Sequence, residues 1–289
     1  MKKILITGAG SYIGTSFETY MKQYENYKID TLNMKDLNWK NYDFSSYDVV
    51  FHVAGIAHAD VGHVTEETKK LYYKINTDLT IETAKKAKES KVKQFIYMSS
   101  MIVYSGCGET HITKNTKPKA ANFYGDSKLQ ADLLLQELNS DGFKVVILRP
   151  PMIYGKGSKG NYLELAKLAS ILPIFPIVKN QRSMLHVDNL CEFVKLMVDN
   201  NETGIFFPQN SEYTNTSAMV ELIAKIKGHK IIMIPGTNIL VNIMKKLPGS
   251  IGARATKAFG DSVYEMSMSE YKDNYRVNSL RKSLELTEG

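Results

Sequence analysis

The chain has 289 residues, of which 43% are hydrophobic and 23% are charged, and its formal net charge is +7. This composition is ordinary for a globular protein with one large α/β domain and an appended lobe. No stretch reaches the ~18 apolar residues of a membrane-spanning helix, so no integral membrane segment is expected. The positive charge suits an anionic ligand, but no basic helix or basic stripe with interleaved aromatic residues indicates nucleic-acid binding.

The two cysteines, Cys107 and Cys191, lie far apart in the sequence. They match no metal or redox spacing, so no metal site is predicted, and a reducing cytoplasm is the expected compartment. The apolar run after Lys3 is too short for the core of a signal peptide. The stretch closest to a membrane segment, residues 239–244, is interpreted as a helix packed on the core of the small lobe, with a membrane-surface helix as the alternative.

In chain order, the first two-thirds of the sequence alternates short apolar, β-branched runs with helical patterns. The predicted strands are residues 3–7, 27–32, 48–54, 94–99 and 144–149. This alternation predicts an α/β fold with a doubly wound parallel sheet.

Two helices between these strands are predicted to pack on the sheet, because their apolar residues recur at helical spacing. In the first helix the predicted inward residues are Leu71, Ile75, Leu79, Thr83 and Ala87. In the second, over residues 124–138, they are Ala131, Leu134, Leu135 and Leu138.

After Pro150 the pattern breaks into shorter pieces. The sequence predicts a loop over residues 155–161, a return to the main sheet over 185–198, a helix over 216–227 and a strand over 230–234. The smaller α/β lobe is therefore expected to interleave with the larger domain. The predicted division assigns residues 1–152 and 183–207 to the larger domain, and residues 153–182 and 208–289 to the lobe.

A glycine turn follows the first predicted strand and opens a helix. Without a Cβ atom, a glycine lets the chain turn sharply and bring N–H groups against a diphosphate, whose charge the helix N-terminus favours. Strand, turn and helix together predict a site for a dinucleotide, NAD or NADP. Its predicted contacts are Gly8, Gly10, Ser11, Tyr12, Ile13 and Gly14.

The end of the second strand usually decides between the two dinucleotides, because a carboxylate there binds the ribose hydroxyls and repels a 2′-phosphate. Strand length puts this tip at Asn33, with Lys35 just beyond it and Asp30 within the strand. NADP(H) is therefore favoured over NAD(H), with Asn33 as a cofactor contact.

Tyr124 and Lys128 are four residues apart, so on a helix both side chains project from one face. A phenol with a pKa near 10 is a poor acid or base at neutral pH, and a nearby ammonium favours the phenolate. The pair therefore predicts proton transfer to or from a carbonyl or an alcohol, with Lys128 also holding a ribose of the cofactor.

The glycine turn and the Tyr-x-x-x-Lys pair, in this order, resemble the short-chain dehydrogenase/reductase superfamily, and the C-terminal half resembles its extended, nucleotide-sugar-modifying branch. Ser11 stands where the branch usually has a glycine. The resemblance implies a Rossmann-type fold and makes Ser100 the catalytic hydroxyl, with Ser99 pointing to the opposite side of the strand. It also implies that the dinucleotide is lined by Val53, Ala54, Gly55 and Asn76.

Sugar nucleotide 4,6-dehydratases of the superfamily carry an Asp-Glu pair after this serine. Here the two positions are Met101 and Ile102, which cannot transfer protons. A dehydratase activity is therefore not expected.

Two later segments resemble UDP-sugar enzymes of the branch. Residues 148–155 match its Leu-Arg-x-x-x-x-Tyr-Gly segment, and Arg182 begins a stretch like that of UDP-sugar epimerases, in which the arginine binds the diphosphate. A guanidinium suits this role because it is a planar, bidentate donor. Two positions depart from the pattern, Asn189 for an aspartate and Met152 for an asparagine. The implied substrate contacts are Ser100, Met101, Met152, Asn161 and Arg182.

The function implied by the resemblance is NAD(P)H-dependent reduction of the C4 keto group of a UDP-2-acetamido-2,6-dideoxy-hexos-4-ulose. The product is UDP-N-acetylfucosamine or UDP-N-acetylquinovosamine, for capsule or O-antigen synthesis. The alternative is a UDP-sugar 4-epimerase with tightly bound NAD, which needs the same residues. A third hypothesis is a nucleotide-sensing regulator, although such proteins tend to lose the Tyr-x-x-x-Lys pair. By analogy, the superfamily also implies a homodimer built from the helices near residues 70–88 and 124–138.

Overall fold

The structure is a computed structural model that describes residues 1–57, 64–237, 241, 243–244, 246–247 and 250–289. Its centre is a parallel, six-stranded sheet. In sheet order the strands are β10 (Gly204–Phe206), β6 (Lys144–Leu148), β4 (Gln94–Met98), β3 (Val49–His52), β1 (Lys2–Thr7) and β2 (Tyr27–Leu32). All five predicted strands belong to this sheet, with ends within two residues of the predicted ones.

Helices cover both faces of this sheet. They are α1 (Tyr12–Met21), α3 (Leu79–Glu89), α4 (Phe123–Leu138) and α6 (Val187–Asp199), while α2 (Glu66–Tyr73) packs against α4. Because side chains alternate along a strand, Ile4 of β1 joins a buried cluster with α1 and α6, and Leu5 joins another with α3 and α4. The predicted doubly wound, Rossmann-type α/β fold is confirmed.

The first predicted helix is interrupted, and its inward face differs from the prediction. A π-helical turn, Lys74–Asp78, separates α2 from α3. Its extra residue rotates the faces of the two helices relative to each other. Of the predicted inward residues, Thr83 and Ala87 are buried, Ile75 and Leu79 are half-buried, and Leu71 is 47% exposed. The inward prediction for Leu71 is therefore wrong.

In α4 the predicted inward face is correct at Ala131 and Leu135, which are buried, and wrong at Leu134, which is exposed. Leu138 is half-buried at the end of the helix. The buried side chain of Asp132 occupies the inward position instead. A charged residue holds this place because it is paired, as described below.

The predicted return to the main sheet over residues 185–198 also needs correction. β9 (Met184–His186) pairs with β7 (Met152–Tyr154) in a separate two-stranded sheet, and most of the segment is α6. The sixth strand of the main sheet is β10, which follows α6. The segment packs against the main sheet through α6 and through Leu185 of β9.

The remaining elements lie largely around a third buried cluster. The predicted helix and strand over residues 216–227 and 230–234 are confirmed as α7 and β11. Two further small sheets pair β8 with β11 and β5 with β12. The bounds are β5 (His111–Ile112), α5 (Asn161–Ile171), β8 (Ile174–Pro176), α7 (Thr216–Ile226), β11 (Ile232–Ile234), α8 (Ser250–Phe259), β12 (Val263–Tyr264) and α9 (Leu280–Glu288).

The apolar stretch over residues 239–244 lies partly outside the described residues. Of those that the structure describes, Val241 is buried, whereas Ile243 and Met244 are exposed. Within the described part of the chain, no helix has the length and apolar character needed to cross a bilayer.

Candidate active site

A cavity of about 600 Å³ lies at the carboxyl ends of the central strands. Ligands of open α/β sheets bind at this edge. The predicted site residues that line it are Ser11, Tyr12, Ile13, Val53, Gly55, Ser100, Met101, Tyr124, Lys128, Met152 and Asn161. The structure therefore brings together residues from most of the predicted motifs. The predicted residues that do not line the cavity are Gly8, Gly10, Gly14, Asn33, Ala54, Asn76 and Arg182.

The glycine turn has a backbone that only glycine adopts easily. Gly8 and Gly10 have φ angles of 120° and 74°. A Cβ atom at residue 8 would lie 2.7 Å from the backbone nitrogen of Ala54, which is buried behind the turn. At Gly14, a Cβ atom would lie 2.8 Å from the hydroxyl oxygen of Ser11. The turn is therefore held close to the segment that follows β3.

Ser11 begins α1 and caps it, because its Oγ accepts a hydrogen bond from the Gly14 amide at 3.2 Å. The amides of Tyr12 and Ile13 precede the first intrahelical bond of α1 and so have no partner within the helix. Both residues line the cavity. These two donors, the helix dipole and the Ser11 hydroxyl proton fit the diphosphate of a dinucleotide.

We expect Gly8→Ala to lower the free energy of unfolding by about 1–3 kcal/mol and to weaken dinucleotide binding, because it forces a strained φ and moves the turn. Quenching of tryptophan or cofactor fluorescence measures the binding, and urea unfolding measures the stability. Gly142→Ala is the matched control, since a Cβ atom there meets nothing within 4 Å. Equal effects of the two substitutions would contradict the prediction.

The tip of β2 lies beside the glycine turn, because the carbonyl of Leu32 accepts hydrogen bonds from the Gly8 amide at 2.9 Å and from the next amide. Asn33 follows directly and is exposed. Its Oδ1 accepts from the Lys35 amide at 3.0 Å, which holds the lysine backbone at this edge. Asp30 lies within the strand and accepts a hydrogen bond from Tyr47 at 3.0 Å. No carboxylate stands at residues 33–35.

Asn76 lies in the π-helical turn and is fully buried. Its Oδ1 accepts from the Ile56 amide at 2.8 Å, while its Nδ2 donates to the Ile56 carbonyl at 3.1 Å and to Ser127 Oγ at 3.0 Å. A Cβ atom on Gly55 would lie 3.0 Å both from Asn76 Oδ1 and from Lys128 Nζ. Asn76 thus positions the loop after β3, and its contact with the dinucleotide stays a prediction.

His52 is fully buried at the end of β3 and stays neutral. Burial, followed by the charge of Lys128, lowers the pKa of His52 to about 3. Its Nδ1 is 2.8 Å from Thr7 Oγ1, and its Nε2 is 3.1 Å from Thr80 Oγ1. The side chain therefore links β1, β3 and α3 beneath the cavity.

We expect His52 to make the fold acid-sensitive. Its folded-state pKa lies below its unfolded value, so the unfolded chain binds more protons between pH 3 and 6.5, and stability falls as pH falls through this window. Between pH 7 and pH 5 the loss from this group is about 2 kcal/mol. Urea unfolding at both pH values should give a smaller difference for His52→Gln than for the natural chain; an unchanged difference would contradict the assignment.

The two serines after β4 point in different directions, as predicted. Ser99 Oγ donates to the buried carboxylate of Asp132 at 3.0 Å. Ser100 caps a 3₁₀ turn, Met101–Tyr104, with its Oγ accepting from the Ile102 amide at 3.2 Å. The hydroxyl proton of Ser100 remains available to a ligand in the cavity, beside Tyr124.

Tyr124 and Lys128 both project from α4 into the cavity. Burial raises the pKa of Tyr124 to about 12, and nearby Tyr72 adds to this, whereas a hydrogen bond with Ser100 lowers it. Burial also lowers the pKa of Lys128 to about 8. Desolvation thus outweighs the expected effect of the ammonium on the phenol, and Tyr124 is protonated at neutral pH.

Lys128 is held by the strand beneath it. Its Nζ donates to the Met98 carbonyl at 3.1 Å and lies 4.9 Å from the centre of the Tyr97 ring. These contacts fix the ammonium below the cavity, where a ribose hydroxyl can reach it.

A buried ion pair that was not predicted from the sequence supports residues 99–104, the segment that carries Ser100. Arg149 Nε and Nη2 each donate to the Asp132 carboxylate at 2.8 Å, and Arg149 Nη1 donates to Tyr104 Oη at 2.6 Å. Ser99 completes the network. Both ends of the segment that carries Ser100 are therefore tied to one carboxylate and one guanidinium.

The predicted substrate residues line the same cavity, with one exception. Met101, Met152 and Asn161 line the cavity, but Arg182 does not. The Arg182 Nη1 donates to the Gly260 carbonyl at 3.2 Å, next to residues that do line it, and burial lowers the pKa of this side chain. The structure thus places Arg182 at the rim of the cavity.

Other lining residues were missed because they come from distant parts of the chain. Asp261 and Ser262 reach the cavity since β12 pairs with β5. Glu109 and Thr110 line it from the segment before β5. No local motif marks these four positions, so only the tertiary fold reveals them.

A Rossmann-type sheet with this turn and with Ser100, Tyr124 and Lys128 at its carboxyl edge defines a nicotinamide-dependent enzyme of the extended short-chain dehydrogenase/reductase class. The sequence profile of the NAD dependent epimerase/dehydratase family matches residues 4–206. The chain belongs to that family.

Two of the similar proteins are named as 4-epimerases. A UDP-glucose 4-epimerase of Vibrio cholerae is 30% identical over 251 residues, 77% of this chain and 75% of that protein. An N-acetyl-α-D-glucosaminyl-diphospho-ditrans,octacis-undecaprenol 4-epimerase of Escherichia coli O157:H7 is 26% identical, over 70% of this chain and 64% of that protein. The chain is similar to both.

Solved structures of low identity share the fold. A dTDP-4-dehydrorhamnose reductase of Clostridium acetobutylicum superimposes with a TM-score of 0.77 at 21% identity, covering 98% of this chain and 97% of that one. A UDP-glucuronic acid 4-epimerase of Bacillus cereus, in complex with NAD, gives a TM-score of 0.70 at 18% identity, covering 98% and 94%. Both reductases and epimerases are thus built on this architecture.

Proposed function

We propose that the protein reduces the C4 keto group of a UDP-2-acetamido-2,6-dideoxy-hexos-4-ulose with NAD(P)H. The product is UDP-N-acetylfucosamine or UDP-N-acetylquinovosamine, made in the cytoplasm for capsule or O-antigen synthesis. One observation carries the proposal: the cavity presents a protonated phenol, Tyr124, beside Ser100 and Lys128. Met101 stands where a 4,6-dehydratase has an acid. This set protonates an alkoxide but offers no acid at residues 101 and 102 for dehydration.

The proposed roles follow from the contacts. The nicotinamide, when bound, supplies a hydride to the sugar C4. Ser100 donates a hydrogen bond from its hydroxyl group to the carbonyl oxygen and stabilises the charge that develops there. Tyr124 gives its phenolic proton to the same oxygen. Lys128, held by Met98 O, favours the resulting phenolate and binds the nicotinamide ribose.

For the cofactor we propose NADPH over NADH. The support is the exposed tip of β2, where Asn33 replaces the carboxylate that would repel a 2′-phosphate and Lys35 adds a positive charge. The diphosphate would lie on the amides of Tyr12 and Ile13, and the nicotinamide half on the segment containing Val53 and Gly55.

For the substrate we propose that the UDP-sugar occupies the part of the cavity lined by Met101, Met152 and Asn161. Arg182, at the rim, would bind the diphosphate after its guanidinium leaves the Gly260 carbonyl. We also propose the division of the chain into residues 1–152 with 183–207 and residues 153–182 with 208–289. Most residues of the buried clusters support this division; Tyr275 of the second part joins the first cluster, and Met184 of the first part joins the third.

The direct test is loss of reduced-nicotinamide absorbance on adding the keto sugar, made in place with a UDP-N-acetylglucosamine 4,6-dehydratase. NADPH and NADH are assayed in parallel, and NMR of the product assigns the configuration at C4. We expect consumption of NADPH that is faster than that of NADH. Failure to consume either cofactor would overturn the reductase proposal.

A 4-epimerase of a UDP-sugar is the second candidate, and the similarity to the Vibrio cholerae enzyme favours it. An epimerase regenerates its dinucleotide in each turnover and so retains it. NAD⁺ that survives purification, together with interconversion of UDP-sugars at C4 without added cofactor, would support this candidate over the reductase.

We also propose a homodimer across α2, α3 and α4. Leu71 and Leu134, both predicted to be buried, face outward from these helices and give the surface apolar character. Sedimentation of the natural chain and of a Leu71→Glu, Leu134→Glu variant tests the proposal. A monomeric natural chain would overturn it.

A further inference from the structure

An exposed apolar face lies on the small sheet formed by β8 and β11. These strands pair in parallel with Ile174 opposite Ile232. Side chains two residues apart share one face of a strand, so Ile234 lies on the same side. Ile232 is 67% exposed, Ile174 is 51% exposed, and Ile234 is also exposed. A sheet face in water normally carries polar residues, and this one carries isoleucines.

The apolar face continues into its flanking residues. Ile171, the last residue of α5, is 68% exposed and is separated from β8 by two residues, and Ile177 is exposed directly after β8. The Ile177 amide donates to the Ile234 carbonyl at 2.9 Å, so these residues are held by the sheet. We define the docking face as Ile171, Ile174, Ile232 and Ile234; Ile177 is left out because the alternation of side chains turns it away from Ile174.

The sequence around β8 and β11 is rich in lysine and arginine, although Lys227 is paired with Glu288. Residues 222–260 contain seven lysines and arginines and no aspartate or glutamate, which equals the net charge of +7 of the whole chain. Residues 165–187 contain three and no acid. Among them, exposed Lys167 lies one helical turn before Ile171, and exposed Lys230 lies two residues before Ile232.

We propose that the docking face binds the surface of an anionic lipid bilayer. Exposed isoleucines enter the boundary between headgroups and acyl chains, while lysines near them attract anionic headgroups. A second copy of the chain fits less well, because a two-fold contact through this face would bring like charges opposite each other.

Docking would orient the catalytic cavity relative to the bilayer. Helix α5 begins at Asn161, which lines the cavity, and ends at Ile171 on the docking face. Its 11 residues separate the two sites by about 16 Å along the helix axis. A second cavity of about 250 Å³ lies along α5 and includes both Ser158, which also lines the main cavity, and Ile171.

Flotation with vesicles tests the proposal on the full chain, without substrate and therefore independently of the proposed reaction. Vesicles of phosphatidylcholine alone are compared with vesicles that also contain phosphatidylglycerol, at low and high salt. We expect flotation only with the anionic vesicles, weakened by salt. Absence of flotation with anionic vesicles at low salt would overturn the proposal.

Two matched double variants identify the surface. Ile171→Glu with Ile232→Glu should reduce the floating fraction about tenfold or more, because it removes two apolar anchors and adds two negative charges. Val277→Glu with Leu286→Glu makes the same charge change at two other exposed apolar residues and should float nearly as well as the natural chain. Equal losses in both would leave only a non-specific effect of charge and would overturn the assignment to this face.

A milder variant, Ile171→Ser with Ile232→Thr, guards against misfolding, since threonine is compatible with a strand. Thermal unfolding and gel filtration accompany each measurement. If the variants change the oligomeric state and no form binds vesicles, the docking face is a contact between copies of the chain and the membrane proposal is wrong.

Discussion

The Tyr124→Phe variant is expected to lose about 10³-fold in kcat for the keto sugar, with a small change in KM, because it removes the proton donor and keeps the ring. The phenol of Tyr124 lines the cavity and is protonated at neutral pH, because its pKa is about 12. The measurement is the initial rate of nicotinamide oxidation under saturating cofactor.

Tyr73→Phe is the matched control for this variant. Tyr73 lies on neighbouring α2 and donates its hydroxyl to Asp126 at 2.7 Å, outside the residues that line the cavity. It should keep nearly full activity. A Tyr124→Phe enzyme that retains more than about one-tenth of the natural kcat would show that another group supplies the proton.

The second large effect is expected at Asp132. Asp132→Ala should lower the free energy of unfolding by about 3–5 kcal/mol, because it leaves the buried guanidinium of Arg149 without its partner. It should also lower kcat, since Ser99 and Tyr104 lose the network that holds the catalytic serine segment. Urea unfolding and the same rate assay measure the two effects.

The double variant Asp132→Leu, Arg149→Met separates charge from packing. Replacing both partners of a buried pair by apolar side chains of similar size usually restores most of the stability. Recovery of stability without recovery of kcat would assign the network to positioning of Ser100. If the double variant is less stable than Asp132→Ala alone, the unpaired guanidinium is not the cause of the loss.

Much of the main sheet could be predicted because local signals and tertiary packing agree there. The strand before Gly8 is apolar, the glycines have positive φ, and the helix that follows is capped by Ser11. The tip of β2 could also be predicted, because strand length and the parallel register lead to the same residue, Asn33. Consistent signals of this kind are the basis of foldable sequences.

The errors in the helices have a definite origin. A period of four residues assumes an uninterrupted α-helix, and the π-helical turn around Asn76 breaks that assumption before α3. In α4, Leu134 was predicted to face inward because it is hydrophobic, but it is exposed and Asp132 is buried. The signal was present, because Tyr124, Lys128 and Asp132 recur every four residues on one face.

Arg182 shows a different limit. A motif places a residue along the chain, but the direction of a long side chain depends on what surrounds it. Here the guanidinium reaches the Gly260 carbonyl, and the acid that lines the cavity beside it, Asp261, is 79 residues away in sequence. Pairings over such distances leave no local pattern to detect.

The path of the chain between buried clusters has a consequence for how such enzymes diversify. After β6 the chain enters the third cluster at Tyr154, returns to the first through α6, and reaches the third again at α7. It then contributes Tyr275 to the first cluster and, near its end, Leu284 to the third. A single genetic crossover after residue 148 would therefore join mismatched halves of two cores. Changes of sugar preference are expected to arise by point substitution, since exchange of the lobe between homologous genes needs several junctions at once.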